Sequence, residues 1–148
     1  MILYIDPNAA LAMGVQDAPT STTFMNGMKA LSDTGAHWNI PTVVCDPWAD
    51  FTIGPIFDFI LTKRPNAIHV NKHGVTSCFD LKEFRDVIAS FGVNKLIISG
   101  LSLDINVMSA AISAKNLGYE VYVVVDACGT FSKDMREISM ARMVQAGI

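Results

Sequence analysis

Thiols are sparse in this chain: only Cys45, Cys78 and Cys128 occur in 148 residues, an odd number with no CxxC spacing. That excludes a disulfide framework or a cysteine zinc site and predicts reduced thiols. Charge is thin as well, at 17% Asp, Glu, Lys and Arg with a net of −3 and a pI near 5.4. The basic residues are scattered, with no stripe and no interleaved aromatics, so nucleic acid is not an expected partner. No apolar run approaches the roughly eighteen residues of a membrane span. The opening MILYID has neither the basic start nor the small-residue cleavage site of a signal peptide. No membrane association and a cytoplasmic location are the expectations. Repeats, low-complexity tracts and linkers are also absent, which predicts one domain over residues 1–148.

What the chain does have is apolar residues, 51% of the total, with a mean hydropathy of +0.35. This is high for a soluble monomer and predicts apolar surface buried between subunits of a homo-oligomer, although a chain cut short would look similar. The organising stretch is KLIISGLSLDINVMSAA, Lys95 to Ala111. Lys95 to Ser99 reads as a strand stopped by Gly100. Asp104, Val107, Met108, Ala111, Ile112 and Lys115 then recur at helical spacing.

The same reading gives strands at Ile2–Ile5, Thr42–Cys45, Ala67–Val70 and Tyr119–Val125, the first, second and last closed by Asp6, Asp46 and Asp126. Residues 8–18 read as irregular. Helices are expected from the Thr20–Thr23 caps to about Ala36, over Ile56–Leu61, from near Asp80 to Phe91, and from the Gly129–Ser132 caps to about Gln145. Met135, Met140 and Met143 read as a packing face of that last helix. Short apolar strands alternating with helices predict an α/β fold, a three-layer α/β/α sandwich on a mostly parallel, Rossmann-like sheet. The chain stops at Ala146-Gly147-Ile148, where the alternation next calls for a sixth strand.

In such a sheet the loops after the strands open on one edge, where small molecules bind. Asp6, Lys72, the group Ser102/Asp104/Asn106, and Asp126 collect there. A carboxylate facing an ammonium across an apolar cleft serves as a base or an acid. The plainer alternative makes Asp6 and Asp126 strand-end turn formers and Lys72 a solvated loop residue.

The segments ILYIDPN, IPTVV, NKHGVTSCFD, LIISGLSLDINV, GYEVYVVVDACGTFS and REISMARMVQAGI are similar, in order, to those of the isochorismatase-like cysteine hydrolases. Within that superfamily the chain resembles the YcaC-like group. The resemblance implies strand order 3-2-1-4-5-6, with this chain stopping at the sixth strand. It also implies an Asp–Lys–Cys triad whose positions fall on Asp6, Lys72 and Asn106, so the family's thiol is replaced by a carboxamide. A non-prolyl cis peptide is implied at Leu101–Ser102, where this turn, with Asp104, would aim backbone N–H groups into an oxyanion pocket. The family's metal-binding nicotinamidases carry an Asp/His cluster after strand two. Here that region reads Cys45-Asp46-Pro47-Trp48-Ala49-Asp50, without histidine, and no metal or other cofactor is expected.

A carboxamide nitrogen does not ionise near neutral pH, so Asn106 cannot attack as a thiolate does. Cys78, in the loop after Lys72, is the other thiol to weigh, against a plain reading as a small buried hydrophobe. Asn8, Trp48 and Phe79 are candidates for pocket lining, with Phe51 beside them; a core role explains the aromatics equally well. Three functions stay open: a small-molecule binder without thiol hydrolase activity, a thiol-independent vinyl-ether hydrolase using Asp6 and Lys72, or a non-catalytic subunit that binds partners through its helices.

Overall fold

Residues 1–16, 22–47 and 54–148 are described by the computed structural model. Strand β1 (Ile2–Ile5) is buried along its whole length, as a central parallel strand must be. Around it lie β2 (Thr42–Asp46), β3 (Ile68–Asn71), β4 (Lys95–Leu101) and β5 (Glu120–Gly129). All pair in parallel, in the order β3-β2-β1-β4-β5. Between the strands run α1 (Ala9–Ala12), α2 (Thr22–His37), α3 (Asp58–Lys63), α4 (Lys82–Ser90) and α5 (Met108–Asn116), and α6 (Lys133–Gln145) follows β5.

Side-chain alternation along the strands builds two cores. Leu3, Ile5, Val43, Cys45 and Ile98 face one side, against Phe84 and Ile88 of α4, Ala110, Ala111 and Ala114 of α5, and Met143 of α6. Ile2, Tyr4 and Val44 face the other, against Phe24 and Met28 of α2 and Ile60 of α3. The architecture is therefore the expected α/β/α sandwich. The strand order reverses between β1 and β4, and the ends of those strands flank a crevice.

Four details depart from the sequence reading. Residues 9–12 form a helical turn rather than irregular chain, in keeping with an AALA sequence. Gly100 does not end β4, which runs on to Leu101. Its φ is +149°, and a Cβ there would lie 1.9 Å from the Ile5 carbonyl oxygen, so glycine lets β4 press against β1. Asp126 does not end β5 either. Between the pairs Ile98–Val123 and Gly100–Cys128 the register slips, and Asp126 lies in the resulting bulge, exposed. On α6 only Met143 of the three methionines packs inside, while Met135 and Met140 are about 40% exposed. Two further turns add to the expected helices: a 3₁₀ turn over Cys78–Asp80 precedes α4, and a π turn over Leu103–Val107 leads into α5.

No helix among the described residues is long and apolar enough to cross a membrane. The Gly100 contact makes a sharp test. Gly100→Ala should lose more than about 3 kcal/mol in urea unfolding, from collision plus backbone strain. Gly118→Ala, with φ +93° and no atom within 4 Å of the added Cβ, should lose only about 1 kcal/mol.

Candidate active site

Asp6 follows β1 with φ +49°, a left-handed conformation that aspartate tolerates better than most residues. Its N–H donates to the Cys45 carbonyl at 2.7 Å and its own carbonyl accepts the Asn8 N–H at 2.8 Å. These bonds tie the turn to the end of β2. Lys72 follows β3, and its N–H donates to the Asp46 carbonyl at 2.9 Å. A turn closed by Val75 N–H on the Lys72 carbonyl at 3.0 Å, with Gly74 at φ +78°, sends the chain back over the site.

The two side chains meet. Lys72 Nζ donates to Asp6 Oδ2 at 2.6 Å, with side-chain exposures of 3% and 1%. Burial raises the Asp6 carboxyl to about 6, against the opposing pull of the Lys72 charge and hydrogen bond and with a smaller push from Asp46. Asp6 Oδ1 has no hydrogen-bond partner among the described residues.

Asn106 stands in the π turn before α5, half-buried, and its Nδ2 donates to the Leu101 carbonyl at 3.3 Å. Asp6, Lys72 and Asn106 line one cavity of about 200 Å³ whose apolar walls include Leu11, Pro47 and Val75. Three residues read from separate segments of the sequence thus share a single wall.

The other candidates distribute differently. The Leu101–Ser102 peptide is cis. Leu101, Ser102 and Asp104 are buried in the turn that carries Asn106, behind the cavity wall rather than on it. The Ser102 carbonyl accepts the N–H groups of Val107 at 3.0 Å and Ile105 at 3.4 Å, so these two donors are spent within the turn. Asn8 does not line the cavity; its Nδ2 donates to Asp46 Oδ2 at 2.8 Å and to the Gly54 carbonyl at 3.1 Å. Phe79 is a correction, because it lies in the core between Phe84 and Tyr119. Trp48 and Phe51 lie outside the described residues. Asp126, exposed on β5, is not part of the cavity wall.

Cys78 does not line this cavity. It is completely buried, and burial, followed by its contact with the Cys45 thiol, pushes its proton affinity well above that of an ordinary cysteine. All three cysteines are free and buried. Among the described residues no group of three or more His, Cys, Asp or Glu side chains could hold a metal ion.

Sequence reasoning missed Asp46 as a neighbour of the site, although Asp46-Pro47 repeats the Asp6-Pro7 pattern of a strand closed by Asp-Pro. It also missed the Leu11, Pro47 and Val75 walls, which only the folded loops bring together.

A parallel sheet of this order, with a buried acid–lysine pair at its switch point, defines a three-layer α/β/α domain of Rossmann type. Residues 54–148 match the isochorismatase domain model. The chain is 30% identical over 146 residues to the probable hydrolase YcaC of Escherichia coli, covering 99% of this chain and 70% of that protein. It superposes on YcaC from Pseudomonas aeruginosa, solved with hexane-2,5-diol and covalent acrylamide, with a TM-score of 0.94 and 32% identity over 99% of this chain and 72% of that one. A nicotinamidase from Staphylococcus aureus shares the fold at a TM-score of 0.82 and 17% identity, over 99% of this chain and 92% of that one. The chain belongs to the isochorismatase family and is a hydrolase-like protein of the YcaC type.

The sign of the Asp6 titration follows from its raised proton affinity. The folded state binds this proton more tightly than the unfolded chain, so the resulting stability is fully present below about pH 3.8 and is lost as pH rises through about 6. The stability of wild type relative to Asp6→Asn, from urea unfolding, should fall by about 3 kcal/mol across that window and level off above it. A difference independent of pH would mean that Asp6 titrates like an exposed carboxyl.

Proposed function

We propose that the crevice binds a small organic molecule and that the protein lacks thiol-dependent amide hydrolysis. One observation carries this reading: the buried Asp6–Lys72 pair opens on a cavity whose third polar wall is the Asn106 carboxamide. Removing the nucleophile from an acting triad costs on the order of 10⁶ in turnover, and a buried, protonated Cys78 offers no substitute. In this assignment Asp6 and Lys72 provide the polar contacts, Asn106 marks the family's cysteine position, and the Leu101–Ser102–Asp104 turn supports it. The 148 residues act as a single domain in the cytoplasm, without a metal or other cofactor.

A second reading is favoured by the Asp6 proton affinity near 6. An acid of that strength protonates an ether or enol oxygen without any thiol, as a vinyl-ether hydrolase requires. Lys72 would then hold a substrate carboxylate. The third reading, a purely structural subunit, fits a sealed crevice; Asp6 and Lys72 are indeed paired, yet about 200 Å³ remains beside them. Self-association is compatible with all three. The E. coli YcaC structure, 31% identical with a TM-score of 0.92 over 99% of this chain and 71% of that one, is described as an octameric hydrolase of unknown specificity. Exposed Tyr122, Ile138 and Val144 give this chain apolar surface to cover in the same way.

Acrylamide labelling followed by intact-mass measurement tests the principal reading. Wild type should remain unmodified under native conditions, and Asn106→Cys should gain one adduct that Lys72→Ala slows by at least about tenfold. Rapid labelling of wild type at Cys78 would sink it. For the second reading, isochorismate turnover abolished by Asp6→Asn is the expected result, and turnover unaffected by that substitution would end the reading.

A further inference from the structure

Asp6 and Lys72 are the charged side chains on the cavity wall among the described residues, and their charges cancel. Lys72 Nζ lies 2.6 Å from Asp6 Oδ2, with both side chains at most 3% exposed, so the ammonium is already compensated before any ligand arrives. The rest of the wall is uncharged: Thr76, the Asn106 carboxamide, and apolar surface from Leu11, Pro47 and Val75. His73 follows Lys72 in the chain but is exposed and does not line the cavity. Residues 17–21 and 48–53, outside the described part of the chain, contain no Lys, Arg or His that could add a positive charge.

A carboxylate entering this space would lose its water without gaining an uncommitted cation. Backbone donors do not replace one. The N–H groups of Ile105 and Val107, on either side of Asn106, are spent on the Ser102 carbonyl. Two more buried carboxyl side chains sit close in sequence to the wall, Asp46 next to Pro47 and Asp104 two residues before Asn106, and neither favours an anion. A ligand ammonium fares no better, because the lining carboxylate already holds Lys72. The atoms left over are hydrogen-bond acceptors. Asp6 Oδ1 has no partner among the described residues, and Asn106 spends Nδ2 on the Leu101 carbonyl, which leaves its Oδ1. We propose that the crevice selects by charge: it takes small uncharged molecules that present a hydroxyl or N–H donor beside an apolar body, and it rejects carboxylates of the same size. This rests on the reading of the crevice as a ligand site, and it stands against a substrate carboxylate held by Lys72.

The filter lies in the balance of the pair, so upsetting the balance resets it. Asp6→Asn leaves the Lys72 charge uncompensated and turns the wall toward anions. Asn106→Asp adds a carboxylate of nearly the same shape at a half-buried position of the wall and turns it toward cations. A cavity of about 200 Å³ is smaller than a drug-sized pocket, so monocyclic probes suit it.

The experiment titrates the full chain with benzyl alcohol, benzoate and benzylammonium, three probes of similar size and different charge. The readout is the backbone amide NMR shifts of Gly74, Val75, Thr76 and Asn106, which line the cavity. At about pH 7.5 benzoate and benzylammonium are both ionised. Wild type should bind benzyl alcohol at least about tenfold more tightly than either ion. Asp6→Asn should reverse the order in favour of benzoate. Should that variant give a collapsed spectrum, Asn106→Asp decides, with benzylammonium expected to overtake the alcohol and benzoate to weaken further. Wild type binding benzoate or benzylammonium as tightly as the alcohol would overturn the proposal, as would variants that keep the wild-type order. The binding reading fails differently: none of the three probes would then shift these amides in wild type or in either variant, and the charge filter would fall with it.

Discussion

The buried contact between Lys72 and Asp6 is the constraint on which this structure turns. Taking an ammonium and a carboxylate out of water costs several kcal/mol per ion, and their attraction repays it only where the geometry is close. A 2.6 Å separation at 1–3% exposure meets that condition, and it demands that the ends of β1 and β3 be held in register through β2. The Asp6–Cys45 and Lys72–Asp46 backbone hydrogen bonds do so. Even then burial outweighs attraction for Asp6, whose proton affinity rises rather than falls. The ion pair is therefore poised rather than locked.

Placing a carboxamide at the third corner changes what such a pair can do. Asp6 and Lys72 beside a thiol would assist a nucleophile; beside Asn106 they face a group that only donates and accepts hydrogen bonds. Asn106 spends a donor on the Leu101 carbonyl, which steadies the turn behind the cavity. The cavity beside this pair is a hollow of about 200 Å³ bounded in part by one acid, one lysine and one amide.

Several features were legible because the physics is local. The strands were found because a parallel strand buried on both faces must be an apolar run, and ILYI, TVVC and KLIIS are such runs. Asp6 and Lys72 were found because each directly follows a strand, at the edge where sheets of this class bind ligands. The misreadings have an equally definite origin. Gly100 reads as a stop, yet close approach to Ile5 makes it a strand residue. Asp126 copies the strand-closing pattern of Asp6 and Asp46, but the slipped β4–β5 register leaves it in a bulge. Phe79 reads equally as pocket lining or core, and the packing of Phe84 and Tyr119 decides for the core.

By itself the sequence determined the fold class, the family and the absence of a cysteine at residue 106, since these depend on the order and polarity of neighbouring residues. The tertiary structure alone decided that Asp6, Asp46 and Lys72 are buried, that burial raises the proton affinity of the enclosed Cys78, and that room remains beside Asn106. The reason is dielectric. A carboxylate's strength as an acid depends on which charges and how much water surround it, and those surroundings come from segments of chain far apart in sequence and adjacent only once the sheet has formed.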